Sequence, residues 1–302
     1  VVRALPRALA LITALVLPAT PGSAQEITRK VGLLTIRVDE TRAVPGGVMV
    51  VWLSPPLGTT YAILDGFRIQ FETVPHGPRA LMPIPVTAAP GPRVLGIELV
   101  TRSGGRERIA MDVAIGPRTY ARREVVIPEA RRSLLADPAV VRQSRVLLEA
   151  LRTHSDKTLW NRRFLSPVGV EPTASFGAAE TYPGLAGVDS RMDSVYGEYH
   201  RGVDYQVPAG VTLIAPGSGT VLLAEPLVLT GETLVIDHGQ GVVSAFFHMG
   251  HIDVAAGTTV EAGQALGVAG DTGLVPFPLI HWGLYLHGVA VDPFLLGEAL
   301  GE

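Results

Sequence analysis

Short apolar segments broken by Gly and Pro turns recur along almost the whole chain, and long helices cannot accommodate that punctuation. Val31–Val38, Gly47–Leu53, Arg93–Thr101 and Arg108–Ile115 are rich in Val, Ile and Leu. Turn clusters separate them: Pro45-Gly46-Gly47, Pro90-Gly91-Pro92 and Ser103-Gly104-Gly105. With 34 Gly and 24 Pro in 302 residues, the chain is predicted to be mostly β. Strands of this length and spacing over residues 26–126 suggest an N-terminal immunoglobulin-like β-sandwich. It carries no chemical signature, and His76, between Pro75 and Gly77, reads as a loop residue.

Residues 127–163 break the pattern and predict a helical connector. Asp137-Pro138 is a helix start, a capping carboxylate followed by Pro. Val140, Val141, Leu147, Leu148 and Leu151 then share one broad helical face. His154 falls near the helix end and reads as a terminal residue. From 164 to 302 the β pattern returns, in Val211–Ala215, Gly219–Leu223, Thr233–Ile236, Val242–Phe247 and Ala265–Val268.

Composition narrows the function classes. Hydrophobic residues at 47% and charged residues at 18% describe a globular chain with room for about two domains. A formal charge of -3, with no basic run, gives no reason to expect nucleic acid as a partner. Cysteine is absent, so any metal must be held by His, Asp or Glu. Residues 1–24 read as a secretory signal: Arg3 and Arg7, then the apolar run Ala8–Leu17, then small Gly22 and Ala24 before a cut at Gln25. The alternative, an uncleaved anchor, needs about 20 apolar residues, more than this run supplies. The expectation is export, to a periplasm or to the extracellular side and cell wall.

Six of the eight histidines lie between residues 200 and 287. His200-Arg-Gly-Val-Asp204 places an imidazole four residues from a carboxylate. A third nitrogen would complete a three-ligand zinc site with a position left open for water, and His281, heading His281-Trp-Gly-Leu-Tyr-Leu286, is the best candidate.

The surrounding motifs, from about Phe164 to Leu296, resemble the lysostaphin-like (LytM-type) zinc metallopeptidases, which cut peptide bonds in peptidoglycan. They are Ser175-Phe-Gly177, His200-Arg-Gly-Val-Asp-Tyr205, Ala215-Pro-Gly-Ser-Gly-Thr-Val221 and Val235-Ile-Asp-His-Gly-Gln-Gly241. Phe246-Phe-His-Met249, Val260-Glu-Ala-Gly263, Gly270-Asp-Thr-Gly273 and His281 through Pro293 follow in order. The resemblance implies a C-terminal antiparallel β domain of the duplicated hybrid motif type, with a groove over the metal. It implies Zn2+ held by His200, Asp204 and His281, and a catalytic His248 beside the metal-bound water. There zinc would bring the water pKa to about 7, and His248 would act as base or hydrogen-bond donor.

One position departs from the pattern. The family's His-x-His requires a first histidine at 279, where this chain has Leu279-Ile280-His281. Residues i and i+2 of a strand face one side, so Leu279 is expected beside the metal in place of an imidazole. His251 reads as lying past a strand end, His287 before Gly288 as a turn residue with positive φ, and His238 as structural. Two functions follow: a zinc endopeptidase acting on peptidoglycan peptide, slowed by Leu279, or a catalytically impaired, metal-retaining protein that binds peptidoglycan or activates an envelope hydrolase partner. A weaker third is a zinc peptidase with a substrate outside the wall.

Overall fold

The computed structural model describes residues 25–100, 104–160, 164–183 and 197–300. The predicted leader, residues 1–24, lies outside the described residues.

The N-terminal part comprises β1 (Glu26–Val31), β2 (Leu34–Asp39), β3 (Val48–Ser54), β4 (Thr60–Leu64), β5 (Phe67–Gln70), β6 (Glu72–Val74), β7 (Gly77–Pro83), β8 (Gly91–Val100) and β9 (Arg106–Ile115). They form two sheets, β1-β2-β3-β7-β6 and β5-β4-β8-β9. Apart from the extra edge strand β1, this is the immunoglobulin strand order, four strands facing three plus one added edge strand. One core draws on both sheets, with Ile36, Met49, Val51 and Met82 from the first against Ala62, Leu95, Ile97 and Met111 from the second.

Val31–Val38 is not one strand. Gly32 adopts φ +60 and Leu33 stands 93% exposed at the tip of a hairpin. Glycine reaches that left-handed geometry without a Cβ penalty, so the apolar run folds back on itself. β3 instead earns its continuous apolar sequence by burial on both faces. Met49, Val51 and Leu53 enter the sandwich core, while Val48 and Val50 pack outward with Leu81 against Leu284, Leu286, Leu296 and Leu300 of the C-terminal part. Gly46 sits at this junction with φ +72, and a Cβ there would lie 2.2 Å from Phe176 Cε1. Its carbonyl accepts the Asp292 N–H at 2.7 Å.

β9 is the last strand of the two N-terminal sheets. β10 (Arg122–Glu124) pairs in parallel with β11 (Ala179–Thr181), the one departure from an antiparallel C-terminal arrangement among the described strands. Two short turns of helix, α1 (Glu129–Arg132) and a 3-10 turn (Ser133–Ala136), precede α2 (Ala139–Leu151). Asp137 Oδ1 accepts the Ala139 N–H at 2.7 Å at the helix start. Val140, Leu147 and Leu151 are buried, but Val141 is 37% exposed, so the buried stripe is narrower than the sequence suggests. Leu147 and Leu151 pack on Leu223, Val235, Phe247 and Tyr285, which ties the connector to the C-terminal sheet.

That sheet contains β12 (Val203–Tyr205), β13 (Thr212–Ile214), β14 (Gly219–Leu227), β15 (Gly231–Gly239), β16 (Val242–Ile252), β17 (Thr259–Val260), β18 (Ala265–Ala269), β19 (Ile280–Leu286) and β20 (Val289–Val291), and α3 (Pro293–Leu300) follows. Its main path runs β12-β19-β16-β15-β14-β17. β19 is buried at every residue, which is why Ile280–Leu286 is apolar apart from His281. His251 lies inside β16, paired with Val268, and not past its end. His287 has φ 51 in the β19–β20 turn. His238 is fully buried; its Nδ1–H donates to the Ser218 carbonyl at 2.8 Å, and Nε2 accepts from Ser244 Oγ at 2.8 Å.

Candidate metal centre

Strand register assembles the site. Asp204 on β12 pairs directly with His281 on β19, and His281 pairs on its other side with Phe247 on β16. Direct cross-strand partners point to one face, so three adjacent strands present Asp204, His281 and Phe247 in a row. The Phe247 ring stacks on the His281 ring at 5.1 Å with an interplanar angle of 3°, which fixes the imidazole plane. His200 arrives on the extended segment before β12. Its N–H donates to Ala178 O at 2.9 Å and its carbonyl accepts the Gly177 N–H at 2.8 Å, so Ser175-Phe-Gly177 forms its seat. Gly202 in the same motif has no spare room: a Cβ would lie 2.5 Å from the Trp282 carbonyl oxygen and 2.6 Å from His281 Nε2.

Three atoms converge. His200 Nε2 lies 2.9 Å from Asp204 Oδ1 and 3.1 Å from His281 Nδ1, and His281 Nδ1 lies 2.9 Å from Asp204 Oδ1. All three residues are buried. His200 Nδ1 donates to the Ser175 carbonyl at 2.9 Å, so in the neutral ring Nε2 is a bare lone pair aimed at a carboxylate oxygen. Such a triangle of acceptors is unfavourable unless a proton or a cation occupies its centre. Tetrahedral zinc with bonds of about 2.0–2.1 Å separates its ligands by about 3.3 Å. The observed triangle needs an expansion of only a few tenths of an ångström, so the residues fit the metal in both chemistry and size.

The electrostatics agree. Burial works against the Asp204 carboxylate, yet His200, with hydrogen bonds from His200 and His281, outweighs it and holds the carboxyl well below its usual range. Burial also works against charge on His200, but Asp204 prevails and raises its pKa. At His281 burial prevails and lowers it.

His248 joins the same cavity through an irregularity. Consecutive strand residues face opposite sides, yet Phe247 and His248 both line one cavity of about 420 Å³ together with His200, Asp204 and His281. His248 has φ 65, and the β16 register shifts next to it. A left-handed non-glycine residue costs of order 1–3 kcal/mol and persists only where the surroundings impose it. Here the His248 N–H donates to Thr230 O at 2.8 Å and its Nδ1–H to Thr272 O at 2.8 Å. Thr272 belongs to Gly270-Asp-Thr-Gly273, and its hydroxyl donates to Met249 O at 2.7 Å. The carbonyl partner assigns the tautomer and leaves the Nε2 lone pair free to take a proton. Burial pushes the His248 pKa down to about 4, so the ring is neutral at pH 7.

Leu279 lines this cavity as the i, i+2 relation requires, with 6% exposure and its N–H on Gly270 O at 3.1 Å. Two residues absent from the sequence-based site line the same cavity and hold Asp204. Arg123 Nη2 donates to Asp204 Oδ2 at 2.8 Å, and Arg123 Nε donates to Glu180 Oε1 at 2.6 Å. The Tyr182 hydroxyl donates to Glu180 Oε2 at 2.6 Å. No spacing rule links residue 123 to residue 204; only buried charge in the fold reveals them.

Residues 198–293 match peptidase family M23. An uncharacterized metalloprotease of Haemophilus influenzae is 34% identical over 95 residues, which cover 31% of this chain and 20% of the relative. The peptidoglycan DD-endopeptidase ShyA of Vibrio cholerae is 32% identical over 93 residues, 31% of this chain and 22% of the relative. The chain thus spans about a fifth of the length of these curated relatives. Among solved structures, a candidate M23 peptidase from Pseudomonas aeruginosa superposes with a TM-score of 0.56 at 25% identity, covering 84% of this chain and 94% of that one. The likeness therefore extends well beyond the family segment. Motifs, strand register and these matches together establish that the chain carries a peptidase family M23 domain of the LytM/lysostaphin-like kind.

Proposed function

We propose that this protein is an exported zinc metalloendopeptidase that hydrolyses peptide bonds of bacterial peptidoglycan. The observation that carries the reading is the buried His200–Asp204–His281 triangle opening on the cavity that His248 also lines. Zinc bound there would supply a water of lowered pKa and a Lewis acid for the scissile carbonyl. The protein's own residues do the rest. His200 and His281 contribute neutral nitrogens, and Asp204 a single negative charge. His248 Nε2 accepts the proton of the attacking water and returns it to the departing amine. Phe247 and Leu279 keep bulk water from the ligands.

The wall substrate rests on the peptidoglycan endopeptidase relatives. Export to a periplasm or cell surface rests on the leader-like residues 1–24. Leu279 favours a second reading: the site holds metal, turns over slowly, and the protein binds wall or activates another envelope hydrolase. Purified peptidoglycan incubated with the zinc-loaded protein decides between them. New amino termini that appear and cease on chelation support the endopeptidase. Sedimentation with insoluble wall without any new termini supports the binding reading.

A further inference from the structure

Asp204 uses both carboxylate oxygens. Oδ1 faces the two imidazole nitrogens, and Oδ2 is held by Arg123. Arg123 lies on β10, seventy-five residues before the family segment begins at 198, and reaches the site because β10 pairs with β11 in a register that puts Arg123 opposite Glu180. Glu180 is buried, with 4% of its side chain exposed, and grips the guanidinium through Nε and Nη2. Tyr182 in turn holds the second Glu180 oxygen.

Resting on the zinc reading above, we propose that Arg123 is a positioning residue that completes the metal site from outside the family domain. It occupies Asp204 Oδ2, so that the carboxylate offers the metal one oxygen, Oδ1, in a fixed direction. Unrestrained, a carboxylate can rotate or bind through both oxygens, which would crowd the position needed by the attacking water. Glu180 answers the charge of Arg123, so the guanidinium orients Asp204 without leaving the ligand set beside an uncompensated cation. The pairing of β10 with β11 thereby has a function: it carries one side chain from the connector to the wall of the cavity beside Asp204. Hydrogen-bond partners of metal ligands typically change metal affinity 10–100-fold when removed.

The test is zinc affinity by chelator competition and the visible absorption of the Co2+-substituted full chain, for wild type, Arg123→Gln and Arg123→Lys. The expected result is zinc binding weakened by about 10–100-fold in Arg123→Gln, with a changed Co2+ spectrum and an unchanged far-UV circular dichroism. Arg123→Lys keeps a cation but loses the fork between Glu180 and Asp204, and is expected to lie between the two. A folded variant of either kind with wild-type affinity and spectrum overturns the role of Arg123 while leaving the zinc site standing. A wild-type protein that binds no zinc overturns both.

Discussion

Replacing Leu279 by histidine restores the imidazole that the His-x-His pattern requires. The residue is 6% exposed, its backbone is pinned to Gly270, and its side chain lines the cavity shared by His248, His200, Asp204 and His281. Removing one preorganised donor to a developing oxyanion costs about 10²–10³ in rate, or roughly 3–4 kcal/mol of barrier. Leu279→His is therefore expected to accelerate hydrolysis by that factor. Burial of a leucine is worth about 1.5–3 kcal/mol, part of which histidine forfeits. At roughly 2–4 °C per kcal/mol for a chain of this size, the melting temperature is expected to fall by several degrees, so rates are compared well below the transition. The assay is release of soluble peptides from purified peptidoglycan by zinc-loaded wild type and variant. A folded, zinc-loaded Leu279→His no faster than wild type would refute the idea that Leu279 limits turnover.

His248→Ala is expected to lower hydrolysis by about 10²–10⁴ while leaving zinc affinity within a few-fold, measured by chelator competition. Gly46→Ala forces a Cβ to within 2.2 Å of Phe176 at φ +72; a loss of about 1–3 kcal/mol is expected in denaturant melts, and wild-type stability would contradict the docking described. His238, far from the metal ligands in role, has its pKa pushed down to about 4 by burial, against 6.5 in the unfolded chain. Its neutral form is the folded form, so its contribution, about 3 kcal/mol, is complete above pH 6.5 and lost as pH falls toward 4. His248 and His287 are also pushed down to about 4, so His238→Gln is expected to lessen the fall of the melting temperature over that window without abolishing it, and an unaltered slope would count against the assignment.

The sequence carried much of this site because a strand has a fixed period. His281 and Leu279 fall two apart and both reach the cavity; Asp204 and His281 sit on strands that become direct partners. Glycines between apolar segments placed β3, β8, β9 and most of β14 to β18 within a few residues. The period failed where one glycine sits inside an apolar run, since Gly32 turns Val31–Val38 into a hairpin. It could not anticipate that His248, in an otherwise regular strand, adopts φ 65 and so shares a cavity with its neighbour Phe247. Short strands such as β5, β6 and β12 leave too few residues to show a period. Arg123 and Glu180 were illegible for a different reason: their partnership with Asp204 is purely tertiary, and an arginine in a strand of three residues looks like any solvent-facing charge.

X-ray absorption at the zinc edge, on the loaded wild type and on Asp204→Ala and His281→Ala, tests the central claim most directly. One zinc per wild-type chain is predicted, with nitrogen and oxygen neighbours at about 2.0–2.1 Å and the scattering pattern of two imidazoles, and with loss of the metal from either variant. A wild type without bound zinc, or a stoichiometric zinc that survives both substitutions, would contradict it.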